Sequence, residues 1–216
     1  YYNRAILIVY CKRKCDRVNS MILLSDEFWE IRNTKRKGCG VFAKKDISKG
    51  SVIGDYVGKV LRPEEAIVDE ENFYLMYYHD RAVISPDLEK PGVHLLNHSC
   101  KPNCWFYIYK GHILAFALRK ILKGEELTIP YLLPPINKFC NPCPHVCHCG
   151  NFKCLGTMHT PTEKFKLWRK ITEKQAKQTK RERVSLGKEL PMLSVYPKKI
   201  TGDYIKQVNK IFSFES

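Results

Sequence analysis

Long apolar runs are missing from this chain, whose longest uninterrupted stretch is Ala5 to Cys11. A helix needs roughly 20 apolar residues to cross a bilayer, so no transmembrane span is expected. No charged leader with a small-residue cleavage site surrounds that stretch, so no secretory signal is expected either. The chain begins with Tyr1 rather than Met, which leaves its natural start open. Acidic side chains are scarce, 22 Asp and Glu against 37 Lys and Arg, for a formal net charge of +15. Such a balance favours an acidic partner such as nucleic acid, an acidic protein surface or anionic lipid, or serves only solubility. Apolar residues are not scarce. At 44% hydrophobic and 12% aromatic, the 216 residues can bury a real core, which excludes a wholly disordered chain. The length suits one ordinary domain with room for an appendage.

The positive charge is densest at the end, where residues 160 to 216 hold 14 basic and 6 acidic side chains. Ten cysteines stand at 11, 15, 39, 100, 104, 140, 143, 147, 149 and 154, half of them between Cys140 and Cys154. A chain of this length does not need disulfide staples. Thiolate-bound zinc in a reducing compartment explains the bunching better, and places the protein inside the cell. Cys11-x3-Cys15 is a weak spacing with no nearby partner pair, and residues 1 to 25 read as a flanking segment.

From Phe28 onward the pattern is one of short strands punctuated by glycine, as in Val52, Ile53, Tyr56, Val57 and Val60 between Gly50 and Arg62. Trp105 to Tyr109 and His112 to Leu118, separated by Lys110-Gly111, predict a β-hairpin. Lys44 to Gly50 is echoed by Arg119 to Gly124, each a basic turn feeding a strand-like stretch. Pro63-Glu64-Glu65-Ala66 can start a short helix. Thr160-Pro161-Thr162-Glu163 is a stronger start: a capping threonine, proline at the first helical position and glutamate three after the cap. A helix to about Arg183 is predicted, with Phe165, Trp168 and Ile171 as its apolar strip.

Cys147-x-Cys149-x4-Cys154 offers three thiolates in one tight loop, one short of the four that tetrahedral zinc requires. The candidate fourth ligand is Cys100, within Asn97-His98-Ser99-Cys100-Lys101-Pro102-Asn103. That block, followed by Gly124-Glu125-Glu126-Leu127-Thr128, Tyr131 and then the cysteine loop, resembles the SET-domain protein lysine methyltransferases with their post-SET zinc loop. The resemblance extends upstream to Lys37-Gly38-Cys39-Gly40-Val41-Phe42-Ala43, Asp55-Tyr56-Val57-Gly58 and Phe73-Tyr74-Leu75, in the family's order, over about residues 26 to 159.

It implies a mainly β SET-type fold of small twisted sheets around a threaded, knot-like Asn97 segment. The domain would occupy 26 to 133 and the zinc loop 134 to 159, with a basic, partly helical extension over 160 to 216. It also implies an S-adenosylmethionine-dependent lysine N-methyltransferase. Lys37, Gly38 and Cys39 would wrap the cofactor with their backbone. Tyr74, which has Tyr77 and Tyr78 as near neighbours, would contact it, and Asn97 and His98 would hold it. Tyr131 matches the active-site tyrosine and Tyr56 a second pocket tyrosine. Cys100, Cys147, Cys149 and Cys154 would hold a structural zinc. Such chemistry needs a lysine amine, ordinarily protonated below about pH 10.4, to reach the methyl donor neutral and aligned.

Four positions depart from the family. Ile129-Pro130 precede Tyr131 where an aromatic and an acid are usual; Ile129 brings no hydroxyl to hold a space-filling water, so di- or trimethylation is expected. Pro130 removes a backbone donor. His94 stands where arginine is common and Lys59 where glutamate is. Cys39 is expected to make no metal ligand. Cys140-x2-Cys143 has a metal spacing but lacks two partners unless Cys104 or His145 joins; otherwise Cys104, Cys140 and Cys143 are inert thiols. The expected substrate is a protein lysine, on a histone or another basic protein, in the nucleus or on chromatin if the host is a eukaryote. No membrane partner is expected, and the oligomeric state is left open. The alternatives are a catalytically degenerate SET-fold binding module and a zinc-stabilised nucleic-acid-binding protein. The basic stretch Lys174 to Arg183 could contact nucleic acid or pack as a solvated helix.

Overall fold

A computed structural model describes residues 21–66, 74–79, 82–137, 140, 142–178 and 185–212. Cys11, Cys15, Phe73 and residues 179–184 of the expected long helix lie outside the described residues. Among the described residues ten short strands and three α-helices follow one another, and the strands form four small sheets.

The central sheet sets β9 (His112–Ala117) between β3 (Val52–Asp55) and β8 (Cys104–Tyr109), both antiparallel to it. β8 and β9 are the predicted hairpin. Their turn places Lys110 at φ 47 and Gly111 at φ 82, the consecutive positive angles a tight hairpin turn requires. Every residue of β9 is buried, and the period-two alternation of a strand shares it between two cores. Ile113, Ala115 and Ala117 join one cluster with Val41, Ile53, Tyr56, Leu96 and Ile129. Leu114 and Phe116 join a second with Trp105.

That second core is closed by the C-terminal part of the chain. α2 (Thr162–Gln178) contributes Ile171, and α3 (Asp203–Phe212) contributes Ile205, Val208 and Ile211 at helical spacing. Burying each such side chain is worth roughly 1.5–3 kcal/mol. α2 begins at Thr162, one residue later than expected: the amide of Phe165 donates to the Pro161 carbonyl at 2.9 Å, so Pro161 rather than Thr160 is the capping residue. Tyr204 adds a polar tie, its hydroxyl accepting from Trp105 Nε1 at 3.1 Å and donating to the Phe106 carbonyl at 2.7 Å. The extension is also stitched to the sheets by backbone. The Ile200 amide donates to the Gly50 carbonyl at 2.8 Å, and the Leu190 amide to the Gly58 carbonyl at 2.9 Å.

β1 (Trp29–Asn33) and β2 (Cys39–Ala43) form a hairpin, while β4 (Lys59–Leu61), β6 (Ala82–Ser85) and β5 (Met76–His79) make a third sheet. The short helix predicted at Pro63 is α1 (Pro63–Ala66). The two echoed basic turns pair with each other: Ile47 and Ile121 exchange backbone hydrogen bonds of 2.8 and 2.9 Å, and Lys120 Nζ lies 2.7 Å from Asp46 Oδ2. At the N-terminal edge Ile22 is buried in the first core and bridges Gly54.

The fourth sheet is the smallest and positions the site. β7 (Asn97–His98) runs parallel to β10 (Thr128–Ile129), pairing Asn97 with Thr128 and His98 with Ile129. Parallel neighbours this short need support from elsewhere. Asn103 supplies part of it, accepting from the Thr128 amide and donating to the Glu126 carbonyl, both at 2.8 Å.

Candidate functional site

The turn into β2 is shaped by Thr34, whose hydroxyl accepts from the Lys37 amide and donates to the Gly38 carbonyl, both at 2.9 Å. Gly38 takes φ 69, open to glycine at little cost. Asn97 joins this turn to the threaded strand, its side-chain amide donating to the Cys39 carbonyl at 2.9 Å and to Glu126 Oε1 at 2.8 Å. The other oxygen of Glu126 pairs with the Lys37 ammonium. A Cβ on Gly40 would meet Glu126 Oε1 at 2.7 Å and Asn97 Nδ2 at 2.9 Å, so glycine there admits the whole junction. Lys37, Gly38, Cys39 and Asn97 are thus brought together. Glu126 ties them, although its residue type alone does not set it apart from Glu125 beside it.

His98 is buried next to Asn97, and its Nδ1 accepts from the Tyr131 amide at 3.1 Å. That bond places the proton of the neutral ring on Nε2. Burial, helped by the Lys37 charge, lowers its pKa to about 4. Its ring meets that of Tyr131 edge-on at 5.4 Å. The next residue, Leu132, adopts φ 55, a left-handed conformation costing about 1–2 kcal/mol for a side chain of this kind. The turn sits between the strand end carrying Tyr131 and the cysteine loop.

Three tyrosines converge here. The Tyr56 hydroxyl donates to the Tyr74 carbonyl at 2.5 Å. Burial, then the neighbouring Tyr131 and Tyr74, push the Tyr56 phenol well above its ordinary value. Tyr131 is 39% exposed as a residue, yet burial of its phenol and the presence of Tyr74 push it up as well. Tyr56 and Tyr131 are therefore uncharged hydroxyls at neutral pH. His94 packs edge-on against Tyr74 at 5.5 Å, and burial lowers its pKa to about 4, against the pull of Asp87. Ile129 is buried in the first core beside this cluster.

An open cleft of about 350 Å³ runs between the threaded strand and the segment after the cysteine loop, lined among others by His98, Pro130, Leu132, Leu155, Met158 and Lys164. Apolar side chains, two imidazoles and one lysine suit a ligand that is partly apolar and partly charged.

The thiols of Cys100, Cys147, Cys149 and Cys154 all lie within 4.8 Å of one another. Cys100 Sγ is 3.6 Å from Cys147 Sγ and 3.9 Å from Cys154 Sγ. A tetrahedral zinc with bonds of about 2.3 Å separates its sulfurs by about 3.8 Å, so the four thiols are spaced to hold such an ion. Burial pushes the Cys100 thiol up to about 11. Burial pushes Cys149 up as well, but backbone hydrogen bonds from Cys100 and Asn151 outweigh it and bring that thiol down to about 7. Among the described residues Cys39 joins no metal-holding group; its thiol faces Asn33 Oδ1 at 3.7 Å. Cys104 is fully buried at the start of β8 and contacts Asn103 Oδ1 at 3.5 Å, so it is not the partner of Cys140 and Cys143. His145 does join that pair, together with His159, a residue no sequence spacing singled out.

Residues 38–132 match the SET domain family. Human histone-lysine N-methyltransferase 2B is 34% identical over 128 residues, covering 54% of this chain and 5% of that protein. The histone-lysine N-methyltransferase of Candida glabrata that is specific for H3 lysine 36 is 32% identical over 145 residues, covering 62% of this chain and 20% of its own length. Histone-lysine N-methyltransferase trithorax of Drosophila melanogaster is 30% identical over 128 residues, covering 54% of this chain and 3% of that protein. The chain thus spans a fifth or less of these relatives.

Proposed function

Residues 38–132 are a SET domain, and we propose that the chain is an S-adenosylmethionine-dependent protein-lysine N-methyltransferase acting on histones or similar basic proteins. The observation that supports this best is the meeting of three tyrosines, Tyr56, Tyr74 and Tyr131, beside the threaded Asn97–His98 strand.

S-adenosylmethionine would supply an electrophilic methyl group on a positively charged sulfur. The chain's part is to bind, align and desolvate. The backbone of Lys37, Gly38 and Cys39, with Asn97 and His98, would form one wall of the cofactor site, and Leu132, Leu155 and Met158 its apolar flank. A lysine entering among Tyr56, Tyr74 and Tyr131 loses water, which disfavours its ammonium form and lowers its pKa. Phenol oxygens and the Tyr74 carbonyl orient the neutral amine. The Tyr131 hydroxyl stands as a preorganised dipole at the reacting centre. Zinc held by Cys100, Cys147, Cys149 and Cys154 is structural and ties the loop to the threaded segment. Ile129 leaves room that a tyrosine-held water would fill, so the product is di- or trimethyl-lysine.

The test is transfer from isotopically labelled S-adenosylmethionine to a panel of histones and basic proteins, read by mass spectrometry with Tyr131→Phe alongside. Labelled lysine is expected, with the rate falling about 100-fold or more in the variant, and with products heavier than monomethyl. Cofactor binding without transfer to any substrate would favour a binding module on the same fold.

A further inference from the structure

We propose that the chain holds a second zinc ion, bound by Cys140, Cys143, His145 and His159 and separate from the four-cysteine site. The four ligand atoms lie within 4.8 Å of one another. Zinc bonds of about 2.3 Å to sulfur and 2.0–2.1 Å to nitrogen, in a tetrahedron, place sulfur and nitrogen about 3.5 Å apart and two nitrogens about 3.3 Å apart. Cys140 Sγ is 3.5 Å from His145 Nδ1 and 3.3 Å from His159 Nε2. Cys143 Sγ is 3.8 Å from His145 Nδ1, and the two ring nitrogens stand 3.2 Å apart. Four measured edges of the tetrahedron therefore agree with a bound ion to within about 0.3 Å.

The surroundings prepare the ligands. The other nitrogen of His159, Nδ1, lies 2.5 Å from the Pro134 carbonyl. That contact makes Nδ1 the donor and leaves the Nε2 lone pair facing the cluster, the arrangement by which outer-shell carbonyls orient metal-binding imidazoles. The two histidines face each other with rings perpendicular at 4.9 Å. Backbone bonds hold the residues on either side of His159: the Met158 amide donates to the His145 carbonyl at 2.9 Å, and the Thr160 amide donates to the Leu133 carbonyl at 3.0 Å. Two ring nitrogens and two thiols brought this close make a donor set that a divalent cation fits, with the thiolates neutralising its charge.

The site has a mechanical consequence. His145 lies two residues before Cys147, and His159 five after Cys154, so the two tetrads brace the same hairpin-like loop from opposite ends. The second also fastens Pro134, three residues after Tyr131, through His159. It is a clasp between the end of the threaded core and the start of α2.

The experiment measures zinc in the full chain by native mass spectrometry and elemental analysis. About two ions per chain are expected, falling to about one in Cys140→Ser/Cys143→Ser and, independently, in Cys100→Ser. Cobalt substitution gives a reading that does not depend on a variant folding. The wild-type ligand-to-metal band should carry six thiolates and show a component at shorter wavelength than a pure four-thiolate site produces. Nitrogen-15 spectra of the wild type should show His145 metallated at Nδ1 and His159 at Nε2. One zinc per chain in the wild type, a Cys140–Cys143 disulfide in chain purified under reducing conditions, or two ions retained in Cys140→Ser/Cys143→Ser would overturn the proposal. None of these readings depends on methyl transfer.

Discussion

The threaded centre and the cysteine loop line the same cleft but are held by different forces. Around Asn97–Ser99 and Leu127–Pro130 the chain is buried throughout, and the buried polar groups of Asn97, His98 and Asn103 each have a protein partner. Between residues 134 and 159, Cys147 alone is buried among the described residues, and the backbone pairing amounts to isolated bridges such as Val146 with Thr157. A segment so poor in apolar contact cannot offset the entropy of ordering itself. On the proposed reading its order comes from the ligand tetrads, which makes metal and burial separable by experiment.

Removing metal should therefore give the largest effect. Structural zinc is worth on the order of 10 kcal/mol in small metal-folded domains. A strong chelator is expected to free the amides of residues 140–160 to hydrogen exchange while β3, β8 and β9 stay protected. Simultaneous loss of protection in the sheets would break the contrast. The matching injury to the core is Asn97→Ala, which removes two buried hydrogen bonds, one to the Glu126 carboxylate. A cost of about 2–4 kcal/mol is expected in denaturant unfolding, with zinc content unchanged.

Acid should separate the regions in another way. His94 is buried neutral with a pKa of about 4, against about 6.5 in the unfolded chain. Because the folded value is depressed, this residue's share of stability is complete above about pH 6.5 and is lost as pH falls toward 4. The loss reaches about 3 kcal/mol. His94→Gln should flatten that limb relative to the wild type in thermal melts from pH 7 to 4, a difference that cancels acid release of metal common to both. An unchanged slope would remove His94 from the account. The smallest expected effect belongs to Tyr196, whose hydroxyl donates to Asp55 Oδ2 at 2.7 Å, beside His112 Nδ1 at 2.6 Å. Asp55 Oδ1 already lacks a partner. Tyr196→Phe should cost about 1–2 kcal/mol in the same unfolding assay.

The same contrast explains what could be read before the fold was seen. The Lys110-Gly111 hairpin and the helix after Pro161 are local patterns, and the structure shows both, the helix starting one residue later than expected, at Thr162; the thiols of the Cys147 loop lie close to that of Cys100. His159 is distant in sequence from Cys140 and carries no spacing signature, so it takes the folded chain, with its Nε2 3.3 Å from Cys140 Sγ, to reveal it. Glu126 is one of two adjacent glutamates, and threading, not residue type, directs it at Lys37 and Asn97. The second core was equally hidden, because the strip on α3 finds its partner only once β9 is seen to be buried on both faces.

The most direct test of a cleft built jointly by core and loop is calorimetric titration of S-adenosylmethionine into the zinc-loaded chain. Saturable binding is expected, weakened at least tenfold by chelation and restored by added zinc. No binding to the zinc-loaded chain, or undiminished binding after the metal is removed, would contradict the account.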